Sequence, residues 1–162
     1  VILEKLLIIS VEKFGAVIHG GKAPPPEGWE STGTVVGSTT GTHNRPGSAL
    51  GAISVTNGSG GDLISPVFDF SKEKNISVSW WFRGTEKAEG GHVTWYYSIN
   101  GGEWIEKYKH DIPFDNEHHK YNVEGIDELN NQSNVRFKWT IFRVGGSNSI
   151  DDITITRQNW SL

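Results

Sequence analysis

Apolar and polar residues alternate along this chain in several separate runs. The clearest lies between Asn75 and Trp104. Ile76, Val78, Trp80 and Phe82 point one way, and Ser77, Ser79, Trp81 and Arg83 the other. Further on, Val93, Trp95, Tyr97 and Ile99 alternate with His92, Thr94, Tyr96 and Ser98. Period two in runs rich in β-branched and aromatic residues marks half-buried strands, and these two read as a pair at the centre of the fold. Asn100-Gly101-Gly102 tolerates positive φ and turns the chain back into Glu103-Trp104-Ile105 as a hairpin. A third run sends Val135, Phe137, Trp139 and Ile141 inward and Arg136, Lys138 and Thr140 outward, and Ile150 to Thr156 closes the sheet. Weaker signals suggest short strands at Thr34–Val36, Ala49–Val55 and Leu63–Phe70, the last with Pro66 at an edge or bulge. Lys107 to Tyr121 is polar and reads as a long loop ending in a strand, and Val123 to Leu129 holds a single helical turn. Antiparallel strands with one apolar face need a second sheet over that face, so the pattern predicts an all-β sandwich of two antiparallel sheets.

Residues 1–11, VILEKLLIISV, stand apart. As a strand, Val1, Leu3, Leu7, Ile9 and Val11 share one face; as a helix the segment would be apolar nearly all round and too short. Two placements are open. The segment is the first strand of its own sandwich, or it is a donor strand completing the sheet of a neighbouring copy by β-augmentation. In the second case the chain divides into an arm, 1–11, and a sandwich domain, 12–162. Head-to-tail repetition would then build a filament of identical subunits.

Composition supports the fold class: 162 residues with 20 Gly, 7 Trp, 7 Phe and 4 Tyr suit one domain with many short turns. The formal charge of −4 is spread along the chain without a basic block, which argues against nucleic acid as a partner. With no cysteine, disulfides and thiolate chemistry are excluded. Methionine is also absent, even at position 1, which suggests a chain that begins after signal-peptide removal. No apolar run is long enough for a membrane span.

The order of landmarks resembles the MAM-like jelly rolls of the cleaved-adhesin and choice-of-anchor type. The resemblance rests on Pro26-Glu27-Gly28-Trp29, Gly61-Asp62-Leu63-Ile64-Ser65-Pro66 and Ser98-Ile99-Asn100-Gly101-Gly102-Glu103-Trp104, then on Val135-Arg136-Phe137 and Ile150-Asp151-Asp152-Ile153. It implies a jelly-roll β-sandwich in an extracellular or cell-surface protein with an adhesive, anchoring or carbohydrate-related role.

Candidate chemistry is sparse. Strand parity places Asp151 on the side of Ile153 and Ile155, and an inward carboxylate has to be paired, hydrogen-bonded or metal-bound. Similar jelly rolls carry a structural calcium where the last strand meets the N-terminal region. That likeness implies Asp151 as leading ligand, with Asp152, Glu12 and Asp62 as partners; the alternative is a carboxylate capping backbone amides. Asn57, Asn75, Asn131 and Asn159 begin Asn-x-Ser sequons, candidate glycosylation acceptors at turns, strand ends and the C-terminal region. Trp81, Tyr96, Arg83 and His92 are expected to share one outward face, where Trp81 and Tyr96 could stack on sugar rings. His110, Asp111, Asp115, His118 and His119 form a polar cluster that reads as a solvated loop rather than a metal site. No nucleophile elbow, zinc helix or phosphate loop is present, and Asp127 and Glu128 are not placed across a cleft, so the chain reads as no enzyme. The leading expectation is a surface-filament subunit joined by strand exchange; the alternative is a carbohydrate-binding or adhesin module of a secreted protein.

Overall fold

The computed structural model describes residues 3–12, 25–38, 43, 45–48 and 51–161, with backbone alone for 3–8, 11–12 and 158–161. Val1 and the first residues of the expected Ala49–Val55 strand lie outside them. The described strands are β1 (Leu3–Glu12), β2 (Glu30–Ser31), β3 (Val36–Ser38), β4 (Ala52–Val55), β5 (Gly60–Ile64) and β6 (Ile76–Gly84). They continue with β7 (His92–Ile99), β8 (Ile105–Asp111), β9 (His118–Val123), β10 (Val135–Phe142) and β11 (Asn148–Ser161). They form two antiparallel sheets, a jelly-roll β-sandwich. One runs β3-β4-β11-β6-β9 with β1 added against β11, and the other runs β2-β5-β10-β7-β8.

The alternation along each long strand decides which side faces the partner sheet. Trp80, Phe82 and Val78 of β6 and Ile150, Ile153 and Ile155 of β11 fill one inner face. Trp95 and Val93 of β7 with Phe137, Trp139 and Ile141 of β10 fill the other. Trp80 lies at the contact between the layers, its ring 6.2 Å from Trp95 and 5.7 Å, edge-on, from Trp139.

The two central runs are strands, as expected, but they do not pair. β6 lies between β11 and β9, whereas β7 lies between β10 and β8. The connection contains a 3-10 turn at Glu86–Ala88 and carries the chain from one sheet to the other. The apolar faces of β6 and β7 therefore meet across the core instead of lying side by side. The segment from Lys107 to Tyr121, expected as a long loop ending in a strand, supplies most of two edge strands: β9 is the expected strand, and β8 lies where the loop was expected. Edge strands expose much of both faces, so their charged residues hide the alternation. The expected strand Leu63–Phe70 stops at Ile64, before Pro66, and resumes only as a bridge between Phe68 and Val135.

The N-terminal strand pairs with the chain's own last strand, from Leu3 opposite Ser161 to Glu12 opposite Ile153. Ile9 sits where the register shifts and packs against the core. Of the expected interface residues, Leu3, Leu7 and Val11 are described by backbone only. The arm proposed for a neighbour is thus an element of the six-stranded sheet, and the boundary drawn at residue 11 falls inside a strand.

Trp80→Ala should cost about 3–5 kcal/mol of unfolding free energy, the range for truncating a fully buried large aromatic. Urea unfolding followed by circular dichroism measures it, and a loss below about 1 kcal/mol would mean Trp80 is not the junction of the layers.

Candidate functional site

The outer face of the five-stranded sheet is laid out by cross-strand register. Across β10 and β7 the outward residues fall in rows: Arg136 beside Ser98, Lys138 beside Tyr96, Thr140 beside Thr94, and Phe142 beside His92. On the flanks β5 adds Ile64 beside Lys138 and Asp62 beside Thr140, and β8 adds Glu106 beside Tyr96 and Asp111 beside His92. Trp104 joins the face through the β7–β8 turn. Asn100 and Gly101 take φ of 54° and 68° there, and Ser98 Oγ donates to the Gly102 carbonyl at 2.9 Å.

Three side chains form a stack at one end. The Lys138 ammonium lies 4.5 Å from the Tyr96 ring centroid and 4.7 Å from that of Trp104, within the range in which aromatic faces attract a cation. At the other end His92 and Phe142 stack with centroids 4.9 Å apart, and Phe142 is 45% exposed. Tyr96 lies four residue steps along β7 from His92, so the two aromatic platforms stand about 13 Å apart. The floor between them is polar: Thr140 Oγ1 donates to Asp62 Oδ1 at 2.7 Å, with Thr94 alongside. Beyond the stack, Arg136 pairs with Glu30 at 3.3 Å. Flat apolar rings with interleaved hydroxyl, carboxylate and ammonium groups match the amphipathic surface of a sugar chain.

Trp81 and Tyr96, expected on one face, stand on opposite sides of the molecule because β6 and β7 belong to different sheets. Arg83 goes with Trp81, and His92 with Tyr96. The Arg45 guanidinium covers the Trp81 ring at 4.8 Å, and Arg45, Pro46, Trp81, Glu117 and His118 line a pocket of about 240 Å³. Three residues of this face were missed from sequence: Lys138, Trp104 and Phe142. Strand parity put Lys138 outward, but nothing in the sequence showed that it would stand beside Tyr96.

Asp151 does not point into the core. Phe82 faces Ile150 and Trp81 faces Asp151, but the register shifts between Asp151 and Thr154, leaving Asp152 and Ile153 opposite Trp80. This β-bulge, with Asp152 at φ 48°, reverses parity. Ile153 and Ile155 go inward, while Asp151 lies on the outer side with Trp81, buried beneath the segment that carries Arg45. The Arg45 and Asp152 amides donate to its two oxygens at 3.0 and 2.8 Å. Burial pushes Asp151 up to about 6, against those amides, which hold it down. Arg45 Nη2 and Nε reach Asp152 Oδ2 at 2.5 and 2.7 Å, and Ser48 Oγ donates to Asp152 Oδ1 at 2.8 Å.

In this geometry the carboxylate oxygens are engaged by protein donors rather than left open to a calcium ion. Every carboxylate oxygen of the two aspartates accepts an N–H or O–H, and a guanidinium already supplies the positive charge. Asp62 is in the other sheet, bonded to Thr140. Glu12 comes within one residue of Asp152 by register, its side chain outside the described atoms. Among the described residues no three His, Asp or Glu side chains converge as metal ligands.

The histidine cluster is dispersed as well. His110 is interior: Trp80 Nε1 donates to its Nε2 at 3.1 Å, and Tyr121 stacks on it with centroids 3.5 Å apart. Burial pushes its imidazole down to about 4. His119 pairs with Asp115 at 2.7 Å in the open, His118 lines the pocket beside Trp81, and Asp111 is exposed on the other sheet. Of the sequons, Asn57 and Asn131 lie exposed in turns, Asn75 is half-buried before β6, and Asn159 is on β11 opposite Lys5.

No protein-family model matches this chain, and no curated protein matches it. Solved structures do. The K1 cleaved adhesin domain of Lys-gingipain from Porphyromonas gingivalis superposes with a TM-score of 0.65 at 13% identity, over 93% of this chain and 97% of that one. TmCBM61, solved with β-1,4-galactotriose, gives 0.62 at 15% identity, over 81% and 89%. The CBM22-1 xylan-binding domain of Paenibacillus barcinonensis Xyn10C gives 0.61 at 10%, over 93% and 94%. At these identities the likeness is one of fold.

Two outcomes test this geometry. Arg45→Ala leaves two buried carboxylates without their cation and should destabilise the fold by about 2–4 kcal/mol in urea unfolding; a neutral result would show that the pair is not held by Arg45. The second is a pH dependence. Folded His110 binds its proton less tightly than the unfolded chain, so the unfolded state takes up protons first as pH falls. Stability should therefore drop from about pH 6.5 to about pH 4. Asp151, with its raised value, acts oppositely: its contribution is present below pH 3.8 and lost as pH rises through about 6. The difference between wild type and His110→Phe, measured by thermal melts over this range, isolates the histidine, and parallel curves would contradict its burial as the neutral form.

Proposed function

We propose that this chain is a glycan-binding module, adhesin-like, of an extracellular or cell-surface protein, and that the outer face of the five-stranded sheet is its binding surface. The observation that carries this reading is the strip from the Tyr96–Lys138–Trp104 stack to the His92–Phe142 stack. It offers two aromatic platforms about 13 Å apart with a polar floor between them, so one chain several sugars long can touch both. The fold supports it, since modules solved with galactotriose or described as xylan-binding share this sandwich. The role is binding rather than turnover. Asp127 and Glu128 lie exposed in a 3-10 turn, with Glu128 bonded to Lys107, and Asp151 and Asp152 are locked by Arg45 and Ser48. No helix of the described residues is long and apolar enough to cross a membrane. The filament reading relied on a free N-terminal arm, and that strand is paired with β11.

Affinity electrophoresis and titration calorimetry on soluble polysaccharides test the proposal. Tyr96→Ala and Trp104→Ala should each weaken binding about three- to tenfold, as expected for losing one aromatic stacking contact, with melting temperature preserved. Trp81→Ala, on the opposite face, should bind as wild type does. Loss of binding on Trp81→Ala alone would move the site to the other sheet.

A further inference from the structure

The Tyr96–Lys138–Trp104 stack also bears on the chemistry of the glycan. Lys138 is half-buried between two rings and has no acidic partner among the described residues. Arg136, two residues away on the same strand, has Glu30. Glu106 faces Tyr96 from β8 but is exposed and makes no ion pair with Lys138. Lys109 adds a second cation without an ion-pair partner among the described residues, beside Thr94 in the next row.

A sugar ring laid on these aromatics covers the ammonium and strips its water. Neutral hydroxyls only partly replace that hydration, and the charge then opposes binding; a ligand carboxylate reverses the balance. The flanking π faces hold the cation in place, so little order is lost when the acid arrives. Resting on the glycan-binding reading above, we propose that the ligand is an acidic polysaccharide. In this arrangement Lys138 receives a uronate carboxylate, while Tyr96 and Trp104 stack on the sugar chain that carries it.

The test compares the intact chain on polygalacturonate, neutral β-1,4-galactan and dextran sulfate by titration calorimetry at several salt concentrations. Polygalacturonate should bind about tenfold or more tighter than the neutral polymer. Lys138→Gln should weaken polygalacturonate binding about tenfold and flatten its salt dependence, and Lys138→Arg should retain most of it. Lys120→Gln, on the opposite face, should leave polygalacturonate affinity intact, and melting curves confirm that each variant is folded. Binding of galactan equal to or tighter than that of polygalacturonate would overturn the acidic-ligand inference and leave the module reading standing. Dextran sulfate bound as tightly, with Lys120→Gln losing as much as Lys138→Gln, would reduce the effect to general charge attraction and overturn it too. Binding to none of the polymers or to any other glycan would remove both readings.

Discussion

The structure depends on the packing of Trp80 between two sheets. Its ring meets Trp95 and Trp139 across the core, and its indole N–H donates to His110. That donor must find a buried acceptor, because an unpaired indole N–H in an apolar core is costly. His110 supplies one only while neutral, and burial between Trp80 and Tyr121 keeps it so. His110, expected in a solvated loop, is therefore committed to the core.

The two outer faces differ in character. On the six-stranded sheet, Arg45 lies over the half-buried Trp81 and anchors on Asp152. On the five-stranded sheet, aromatic rings and polar groups are spread along β7 and β10, with one ammonium held between two of them. The cation over Trp81 is tied into an ion pair with Asp152, whereas Lys138 has no acidic partner among the described residues.

The β-bulge at Asp152 shows how one residue redirects a site. Without it, Asp151 would share the core face of Ile153 and Ile155, where a carboxylate demands a metal or a counter-charge. With it, both aspartates reach the segment carrying Arg45 and Ser48: the guanidinium pairs with Asp152, and backbone amides hold Asp151. A register shift, not a change of residue type, turns Asp151 from the core face toward the segment carrying Arg45.

By itself the sequence determined the fold class, the long strands, the hairpin at Asn100-Gly101-Gly102 and the inward set Ile76, Val78, Trp80, Phe82, Val93, Trp95, Phe137 and Trp139. All of these follow from period-two alternation and turn chemistry, which are local. Strand partners were decided only by the tertiary structure, because the same apolar face can be buried by a neighbour in one sheet or by a strand in the other. That choice separated Trp81 from Tyr96, brought Lys138 beside Tyr96 and laid β1 against β11. Edge strands β8 and β9 were legible only at their ends, the hairpin return at Ile105 and the strand ending at Tyr121, because a strand with one free side keeps its charges in water on both faces. The bulge escaped because an extra residue changes parity without changing composition.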